Sequence, residues 1–358
     1  MMAFALPPGS TIGILGGGQL GRMLALAAAR LGLDVAILTP DEDSPASRVA
    51  KTTFVAPYDD PDALAALAKV SDVVTFEFEN VPARVVEILA GLGAVVAPGA
   101  KALAVAQDRV DEKSFINSVG VSTVGFEGVN SAIECEEAVA RIGVPALLKT
   151  RRDGYDGKGQ RWIRDAKDAA AAFEALGAPC ILEAPAPFVR ELSVVAARGR
   201  DGAVAAFPLG ENHHENGVLR RTLAPAAVSP ETEEAAQDIA GCILEGLDYV
   251  GVLAVELFEL ENGDLLVNEI APRVHNTGHW TQDGCLTDQF EQHIRAVAGW
   301  PLGPTTALAR TEMTNLLGSE VDAWTLLAGE PGVCIHLYGK RHAAPGRKMG
   351  HVNRLTSL

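Results

Sequence analysis

The first hundred residues alternate between short apolar runs and alanine-rich runs, and this alternation limits the possible folds more than any other feature. Apolar, strand-like runs occupy residues 11–15, 34–38, 72–79 and 94–98. Helical patterns between or after them occupy residues 19–32, 61–69 and 82–90. Strands that alternate with helices predict a parallel sheet covered by helices on both faces. We therefore predict a Rossmann-like α/β domain over residues 1–107.

The rest of the chain divides into two further predicted units. A helix near residues 108–119 begins a small α+β unit that runs to residue 185. Residues 186–358 form a larger α+β unit, whose tail from about residue 301 contains short strands and a basic loop. A chain of 358 residues is long enough for two or three hydrophobic cores.

The composition excludes several classes of partner. A net charge of −16 argues against nucleic acid and anionic membranes, because both require a basic face. The five cysteines form no CxxC pair, so neither a disulfide framework nor a thiolate zinc site is indicated. No apolar run approaches the roughly 20 residues of a membrane span, and the N-terminus lacks the pattern of a signal peptide. We expect a cytoplasmic protein.

A glycine-rich turn follows the first strand. Residues 16–21, GGGQLG, satisfy the GxGxxG pattern of dinucleotide-binding proteins. The acidic residue that should end the second strand is displaced, because Asp41 comes only after Pro40. The turn therefore favours a dinucleotide only weakly. It predicts instead a phosphate or carboxylate at exposed helix N-terminal amides, and close helix–strand packing explains Gly21 equally well.

A second glycine-rich loop lies in the segment LLKTRRDGYDGKGQRWI, residues 147–163. Lys149, Arg151, Arg152 and Lys158 surround its glycines, and glycine amides together with basic side chains suit a polyphosphate. A solvated surface hairpin is the alternative interpretation.

Residues 251–273 contain two strand-like runs around an Asn-Gly pair, which predicts a two-residue type I′ turn. Counting outward from that turn places Glu261 opposite Asp264 and Glu256 opposite Glu269. Facing carboxylates repel each other, so a hard cation between them is expected, and oxygen ligands near a polyphosphate indicate Mg²⁺. Protonation of one glutamate or a slipped register are the alternatives.

Taken together, these motifs resemble the ATP-grasp superfamily and, within it, the N5-carboxyaminoimidazole ribonucleotide synthetases. The resemblance covers nearly the whole chain and rests on the ordered motifs GILGGGQLGRM, TFEFENV, QDR, LKTRRDGYDGKGQ, RELS, ENHHENGVL, NEIAPRVHNTGHWT and YGKRHAAPGRKMGH. It implies an ATP-grasp fold: an N-terminal Rossmann-like parallel-sheet domain, a small α+β lid domain and a C-terminal α+β domain.

The resemblance also implies a reaction. Family members carboxylate the exocyclic amine of 5-aminoimidazole ribonucleotide with ATP and bicarbonate, through carboxyphosphate, and they release ADP and phosphate. They use Mg²⁺ and are usually homodimers. A formate-dependent glycinamide ribonucleotide transformylase is the nearest alternative. An NAD-dependent oxidoreductase and a non-catalytic nucleotide-binding protein explain fewer of the motifs.

The resemblance further implies site residues. Those expected to bind ATP are Arg109, Lys149, Gly154, Tyr155, Asp156, Gly157, Lys158, Gly159, Gln160, Glu183, Ala184, Pro185, Ala186, Glu191, His214, Asn268 and Glu269. Those expected to hold magnesium are Glu256 and Glu269. Those expected to bind the ribonucleotide are Gly18, Gln19, Leu20, Glu79, Asn80, Tyr155, Arg273, His275, Asn276, Lys340, Arg347 and Lys348. Those expected to take part in catalysis are Arg273, Lys158, Asp156 and His275.

Two features qualify this assignment. Asp153 stands where the family usually has a glycine, so we expect altered ATP affinity without loss of activity. His275 and His279 have the i, i+4 spacing of a helical zinc pair, but Pro272 and Gly278 make a helix there unfavourable.

Overall fold

A computed structural model describes residues 4–154 and 158–358. Its N-terminal part contains a parallel sheet with strand order β3-β2-β1-β4. The strands are β1 (Thr11–Leu15), β2 (Asp34–Thr39), β3 (Thr52–Val55) and β4 (Val73–Phe76). The helices are α1 (Gln19–Arg30), α2 (Pro61–Val70), α3 (Ala83–Gly91) and α4 (Ala100–Ala106). The predicted parallel α/β architecture is thus confirmed.

Three details of this sheet differ from the expectation. Strand β3 was not predicted. The run at 94–98 contributes one bridge, in which Val96 pairs with Val74. The fourth strand ends at Phe76 instead of residue 79, because the next side chain, Glu77, turns back to the start of α1.

The middle of the chain forms a small antiparallel sheet with strand order β5-β8-β6-β7. Helix α5 (Arg109–Ser118) precedes it. The strands are β5 (Phe126–Val129), β6 (Ala146–Thr150), β7 (Gln160–Ile163) and β8 (Cys180–Glu183), and the helices are α6 (Ala132–Ile142) and α7 (Ala169–Leu176), with a 3₁₀ turn at Ala166–Asp168. Lys149 of β6 pairs with Gln160 of β7, so the second glycine loop connects these two strands.

The C-terminal half forms a large antiparallel sheet with strand order β14-β13-β9-β11-β12-β15-β17-β16, and β10 pairs with β9. Its strands are β9 (Phe188–Arg198), β10 (Val204–Ala206), β11 (Gly210–Glu215), β12 (Val218–Ala224), β13 (Gly251–Leu260), β14 (Leu265–Ala271), β15 (Arg310–Leu317), β16 (Val333–Leu337) and β17 (Lys348–Thr356). Its helices are α8 (Pro230–Gly246), α9 (Thr281–Gly284), α10 (Gln289–Val297) and α11 (Trp324–Leu327), with 3₁₀ turns at Asn276–Gly278 and Gly318–Ala323. The C-terminal tail therefore extends this sheet.

The two faces of β9 pack into different cores. Val195 and Ala197 belong to a cluster that includes Ile12 and Leu24 of the N-terminal unit. Val194 and Ala196 belong to a second cluster beneath α8. Because strand side chains alternate between faces, one strand anchors both cores and fixes the large sheet against the N-terminal sheet. Among the described residues, no helix is long and apolar enough to cross a membrane.

Candidate active site

A cleft of about 960 Å³ lies where the N-terminal unit and the two antiparallel sheets meet. It collects most of the residues implicated by the sequence, although their chain positions span from 18 to 348. The predicted residues that line it are Gly18, Gln19, Leu20, Glu79, Asn80, Arg109, Lys149, Gly154, Lys158, Gly159, Gln160, Glu191, His214, Glu256, Asn268, Glu269, Arg273, His275, Asn276, Lys340, Arg347 and Lys348.

The remaining predicted residues fall into two groups. Tyr155, Asp156 and Gly157 lie outside the described residues. Glu183, Ala184, Pro185 and Ala186 are described but lie outside the cleft wall. The side chain of Glu183 is buried and forms ion pairs with Lys149 (2.6 Å) and Lys113 (3.3 Å). Contact of this segment with a nucleotide remains a prediction.

In the acidic hairpin Glu256 pairs with Glu269, as predicted, but the turn and the register next to Glu256 differ from the prediction. The Leu260 amide donates to the Asp264 carbonyl (2.9 Å), and Gly263 has a φ of 85°, so the loop contains three residues and not the predicted two. The ladder accordingly pairs Glu259 with Leu265.

A register shift next to Glu256 restores the predicted pairing. Leu257 pairs with Val267 and Glu256 with Glu269, so Asn268 is the extra residue of a β-bulge. The bulge offsets the longer turn by one residue. It also places Asn268 in the cleft together with both carboxylates.

The two facing carboxylates differ in their electrostatic environment. Burial and the neighbouring Glu269 raise the pKa of Glu256 to about 7. Burial also acts to raise the pKa of Glu269, but the Arg109 guanidinium, 2.9 Å away, outweighs it and lowers that pKa to about 2. The site therefore carries one firmly ionised carboxylate beside one whose charge is unfavourable.

These residues fit a magnesium ion. The Glu256 carboxyl group, whose ionisation is unfavourable, faces the ionised Glu269 carboxylate inside the cleft. A cation between them would relieve their repulsion. Among the described residues, no group of three or more His, Cys, Asp and Glu side chains could hold a metal ion. Mg²⁺ in nucleotide sites is usually bound by one or two protein carboxylates, and phosphate oxygens and water complete its coordination.

The basic residues at the start of the second glycine loop have protein partners. Arg151 and Arg152 form ion pairs with Asp108 at 2.9 Å and 3.2 Å, and Lys149 pairs with Glu183. Of these three, Lys149 lines the cleft, whereas the two described arginines do not. Of the basic residues around this loop, Lys149 and Lys158 therefore line the cleft, whereas Arg151 and Arg152 bind Asp108.

The first glycine motif binds a carboxylate of the chain itself. The amides of Gly18 and Gly21 donate to the buried carboxylate of Glu77. Gly16 has a φ of 126°, and a Cβ there would collide with the Glu77 side chain. The anion predicted for this helix N-terminus is thus intramolecular, and these amides are not open to a dinucleotide pyrophosphate.

Arg273 and His275 lie between the acidic hairpin and the N-terminal unit. Arg273 forms an ion pair with Glu79 (Nη2–Oε1 2.8 Å) and, against the effect of burial, holds the pKa of Glu79 below its ordinary value. Burial lowers the pKa of His275 well below its ordinary value, so the imidazole is neutral at physiological pH. Its Nε2 lies 3.7 Å from Oε1 of Glu256.

Two further groups of predicted residues lie on the cleft wall. His214 and Glu191 form a short hydrogen bond of 2.5 Å (Nδ1–Oε2), which raises the pKa of His214 although burial opposes it. Elsewhere on the cleft wall, Lys340 donates to the Lys348 carbonyl (2.7 Å) and lies 5.6 Å from the centre of the Tyr338 ring. Together with Arg347, these lysines form a basic cluster on the cleft wall.

Sequence reasoning missed several residues of the cleft wall. Phe188 and Phe258 stack with ring centroids 4.6 Å apart and planes inclined by 11°. Strand alternation could have identified Phe258, because it lies two residues after Glu256 and points to the same face. The other missed lining residues are Glu77, Phe78, Leu147, Gly217, Val218, Leu219, His279, Tyr338, Pro345 and Gly346.

His279 is one of these missed residues and was considered only as a zinc ligand. It is buried, and its Nδ1 lies 2.9 Å from the side-chain nitrogen of Gln289. The residues before it, Asn276–Gly278, form a 3₁₀ turn and not an α-helix. His275 and His279 therefore do not have the geometry of a helical zinc pair.

Comparison with known proteins yields matches over most of the chain. Residues 10–107 match the ribonucleotide synthetase preATP-grasp domain, residues 114–290 the ATP-grasp domain, and residues 311–357 the phosphoribosylaminoimidazole carboxylase C-terminal domain. The chain is 51% identical to the N5-carboxyaminoimidazole ribonucleotide synthase of Brucella melitensis over 98% of each chain.

Solved structures agree with these matches. An ADP complex of an N5-carboxyaminoimidazole ribonucleotide synthetase has a TM-score of 0.96 and 42% identity, covering 99% of this chain and 95% of that one. The enzyme from Aspergillus clavatus, in complex with ADP and 5-aminoimidazole ribonucleotide, has a TM-score of 0.91 and 31% identity, covering 98% of this chain and 95% of that one.

Proposed function

We propose that this chain, which belongs to the N5-carboxyaminoimidazole ribonucleotide synthase family, carboxylates the exocyclic amine of 5-aminoimidazole ribonucleotide at the expense of ATP. The observation that carries the proposal is one cleft that contains both a facing pair of carboxylates and a cluster of basic side chains. The carboxylates are those of Glu256 and Glu269, and the basic cluster consists of Lys340, Arg347 and Lys348. Such a cleft suits a magnesium nucleotide and a phosphorylated second substrate at the same time.

ATP would occupy the part of the cleft between the small and large antiparallel sheets. Arg109 and Lys149 offer positive charge for its phosphates, and Glu191 and His214 offer polar groups for its ribose. The Phe188 and Phe258 rings provide an apolar surface for a base. Glu256 and Glu269 would hold magnesium, which neutralises charge on the phosphates when it is bound.

The first chemical step transfers the γ-phosphoryl group of ATP to an oxygen of bicarbonate. The bond between the γ-phosphorus and the β,γ-bridging oxygen breaks, and ADP and carboxyphosphate are formed. Catalysis of this kind is mainly positioning and charge stabilisation. Lys149, Lys158 and Arg273 line the cleft, and we assign to them the charge that develops on the transferred group.

The second step joins the amine nitrogen to the carbon of carboxyphosphate, or of CO₂ released from it, and phosphate leaves. The nitrogen then loses a proton. His275 is a candidate acceptor, because its imidazole is neutral and borders the cleft. Gly18, Gln19, Leu20, Glu79, Asn80 and Asn276 line the part of the cleft that we assign to the aminoimidazole.

The domain organisation and assembly remain proposals of the same kind. We assign residues 1–107, 108–185 and 186–358 to three domains; one family match ends at residue 107, whereas the ATP-grasp match at 114–290 spans both of the later units. A homodimer and a cytoplasmic location are predictions; light scattering on the purified protein tests the first.

Release of ADP by the purified protein, supplied with ATP and Mg²⁺, tests the proposed function. We expect turnover to rise sharply only when bicarbonate and 5-aminoimidazole ribonucleotide are both present. Turnover with glycinamide ribonucleotide and formate would replace the substrate assignment by the transformylase alternative. Absence of turnover with either ribonucleotide would refute an ATP-dependent ligase.

A further inference from the structure

Three consecutive residues, Gln107-Asp108-Arg109, connect three walls of the cleft. The Gln107 side chain donates to the carbonyls of Glu79 (2.7 Å) and Val81 (2.6 Å) in the N-terminal unit. Arg109 binds the Glu269 carboxylate and also donates to the Gly154 carbonyl (3.3 Å). Asp108 lies between them, outside the cleft, and none of the roles assigned above includes it.

Asp108 is almost completely buried, with 2% of its surface exposed, and both of its carboxylate oxygens have partners. Oδ1 accepts from the Val110 amide (3.0 Å) and thereby caps α5. Both oxygens accept from Nε of Arg151, at 2.9 Å and 3.0 Å, and Oδ2 lies 3.2 Å from Nε of Arg152. Buried charged hydrogen bonds of this kind fix geometry strongly.

The main chain reinforces this arrangement. The Arg109 amide donates to the Arg151 carbonyl (3.0 Å), and the Arg151 amide donates to the Pro179 carbonyl (3.0 Å). The segment 151–154 is therefore held through its main chain and side chains at the N-terminus of α5. Of its described residues, Gly154 borders the cleft, while Arg151 and Arg152 are directed to Asp108.

We propose that Asp108 is a positioning residue of the nucleotide site, which acts through Arg151 and Arg152. Its carboxylate forms ion pairs with both guanidinium groups and holds the start of the second glycine loop where Gly154 and Arg109 face the phosphates. The proposal rests on the proposed function only in that the cleft binds ATP. It does not depend on the identity of the second substrate.

The test compares Asp108→Asn with Asp111→Asn. Asparagine at position 108 retains an oxygen that can cap α5, but it removes the charge and one acceptor for the arginines. Asp111 lies in the same first turn, is half-exposed (56% of its side chain) and lies 3.8 Å from Arg151, so its substitution is a matched change of charge. ADP affinity in the presence of Mg²⁺ is measured by calorimetry, together with KM for both substrates and the unfolding temperature.

We expect Asp108→Asn to weaken ADP binding and raise KM for ATP about tenfold, the equivalent of 1.4 kcal/mol. KM for the ribonucleotide should match that of Asp111→Asn, which should bind ADP within about twofold of the wild type. The unfolding temperature of Asp108→Asn should be lower than that of Asp111→Asn, because a buried ion pair loses one of its charges. In an Arg151→Met background, Asp108→Asn should weaken binding by a smaller factor than in the wild type, because it acts through that arginine.

Three results would overturn the inference. They are unchanged ADP affinity in Asp108→Asn, equal losses in Asp111→Asn, and fully additive losses in the Arg151→Met background. A fall in unfolding temperature together with a higher KM for both substrates would show a general structural role instead. Failure of the wild type to bind ADP would refute the proposed function itself, so the two failures are distinguishable.

Discussion

Replacement of Glu256 by glutamine should stabilise the ligand-free protein while it abolishes activity. Burial and the facing Glu269 raise the pKa of Glu256 from 4.5 to about 7. One pKa unit corresponds to ~1.4 kcal/mol, so the ionised carboxylate costs up to about 3 kcal/mol. Glutamine has nearly the same shape and carries no charge.

The sign of the pH dependence follows from the raised pKa. Below about pH 4.5 the carboxyl group is protonated in both the folded and the unfolded state, so its ionisation costs nothing. Between about pH 4.5 and about pH 7 the unfolded state has released this proton and the folded state has not, so the wild type loses stability over that range, and the loss is complete above about pH 7. The advantage of Glu256→Gln should therefore be small near pH 5 and largest near pH 8.

Thermal unfolding without nucleotide or Mg²⁺, at both pH values, measures this difference. We expect Glu256→Gln to unfold about 4 °C above the wild type at the higher pH, because the unfolding entropy expected for a chain of this length converts 1 kcal/mol into a shift of roughly 1.3 °C. Glu261→Gln, an exposed change in the same hairpin, serves as the control and should unfold with the wild type at both. Carboxylation by Glu256→Gln should fall by about 100-fold or more, because the variant lacks one of the two carboxylates that we propose as magnesium ligands.

Two outcomes would refute this reasoning. An unfolding temperature at or below that of the wild type near pH 8 would mean that the facing carboxylates do not repel. An equal gain near both pH values would mean that the gain does not come from ionisation of Glu256.

Three further predictions concern other parts of the cleft. Lys340→Met should raise KM for 5-aminoimidazole ribonucleotide about tenfold or more and leave KM for ATP unchanged, in steady-state kinetics, because it removes positive charge from the basic cluster; an effect on ATP alone would contradict the assignment of that cluster. Phe258→Ala should weaken ADP binding about tenfold by calorimetry, because it removes the ring stacked on Phe188; unchanged affinity would mean that the base binds elsewhere. Lys113→Met should lower the free energy of unfolding by about 3 kcal/mol or more in urea titrations, because it breaks a buried ion pair with Glu183; a stable variant would show that Lys149 alone compensates that carboxylate.

Local sequence patterns predicted the architecture where the signal was periodic. Alternation of strands and helices gave the parallel N-terminal sheet, because a buried parallel strand needs a continuous apolar run. The same reasoning missed β3, whose residues Thr52–Val55 are only partly buried and carry a weaker pattern. It also extended the fourth strand too far. The strand-like pattern continues as FEFE, but the Glu77 carboxylate accepts a hydrogen bond from the Gly21 amide in the first turn of α1.

The acidic hairpin shows how a correct pairing can be predicted from an incomplete account of the backbone. The Asn262-Gly263 pair suggested a two-residue turn, whereas the turn has three residues and a bulge at Asn268 compensates for it. Neither feature has a clear local signal. The bulge depends on contacts with α5, where Lys113 donates to the Asn268 carbonyl (2.8 Å) and Glu112 accepts from the Ile270 amide (2.6 Å).

Partners that are distant in the chain account for the other differences. Arg151 and Arg152 precede the second glycine loop in the sequence, but Asp108, 43 positions before Arg151, binds both side chains. The front glycines suggested an external anion, but Glu77, 59 positions after Gly18, supplies it. A composition or spacing argument cannot choose between an internal and an external partner of equal charge.

Transfer of an oxygen atom from bicarbonate to phosphate tests the central claim most directly. The protein would be incubated with ATP, Mg²⁺, 5-aminoimidazole ribonucleotide and bicarbonate labelled with ¹⁸O, and the released phosphate would be analysed by mass spectrometry. The account predicts that each phosphate released during carboxylation carries one oxygen from bicarbonate, because the γ-phosphoryl group is transferred to bicarbonate before the amine is carboxylated. Unlabelled phosphate, formed together with carboxylated product, would contradict it.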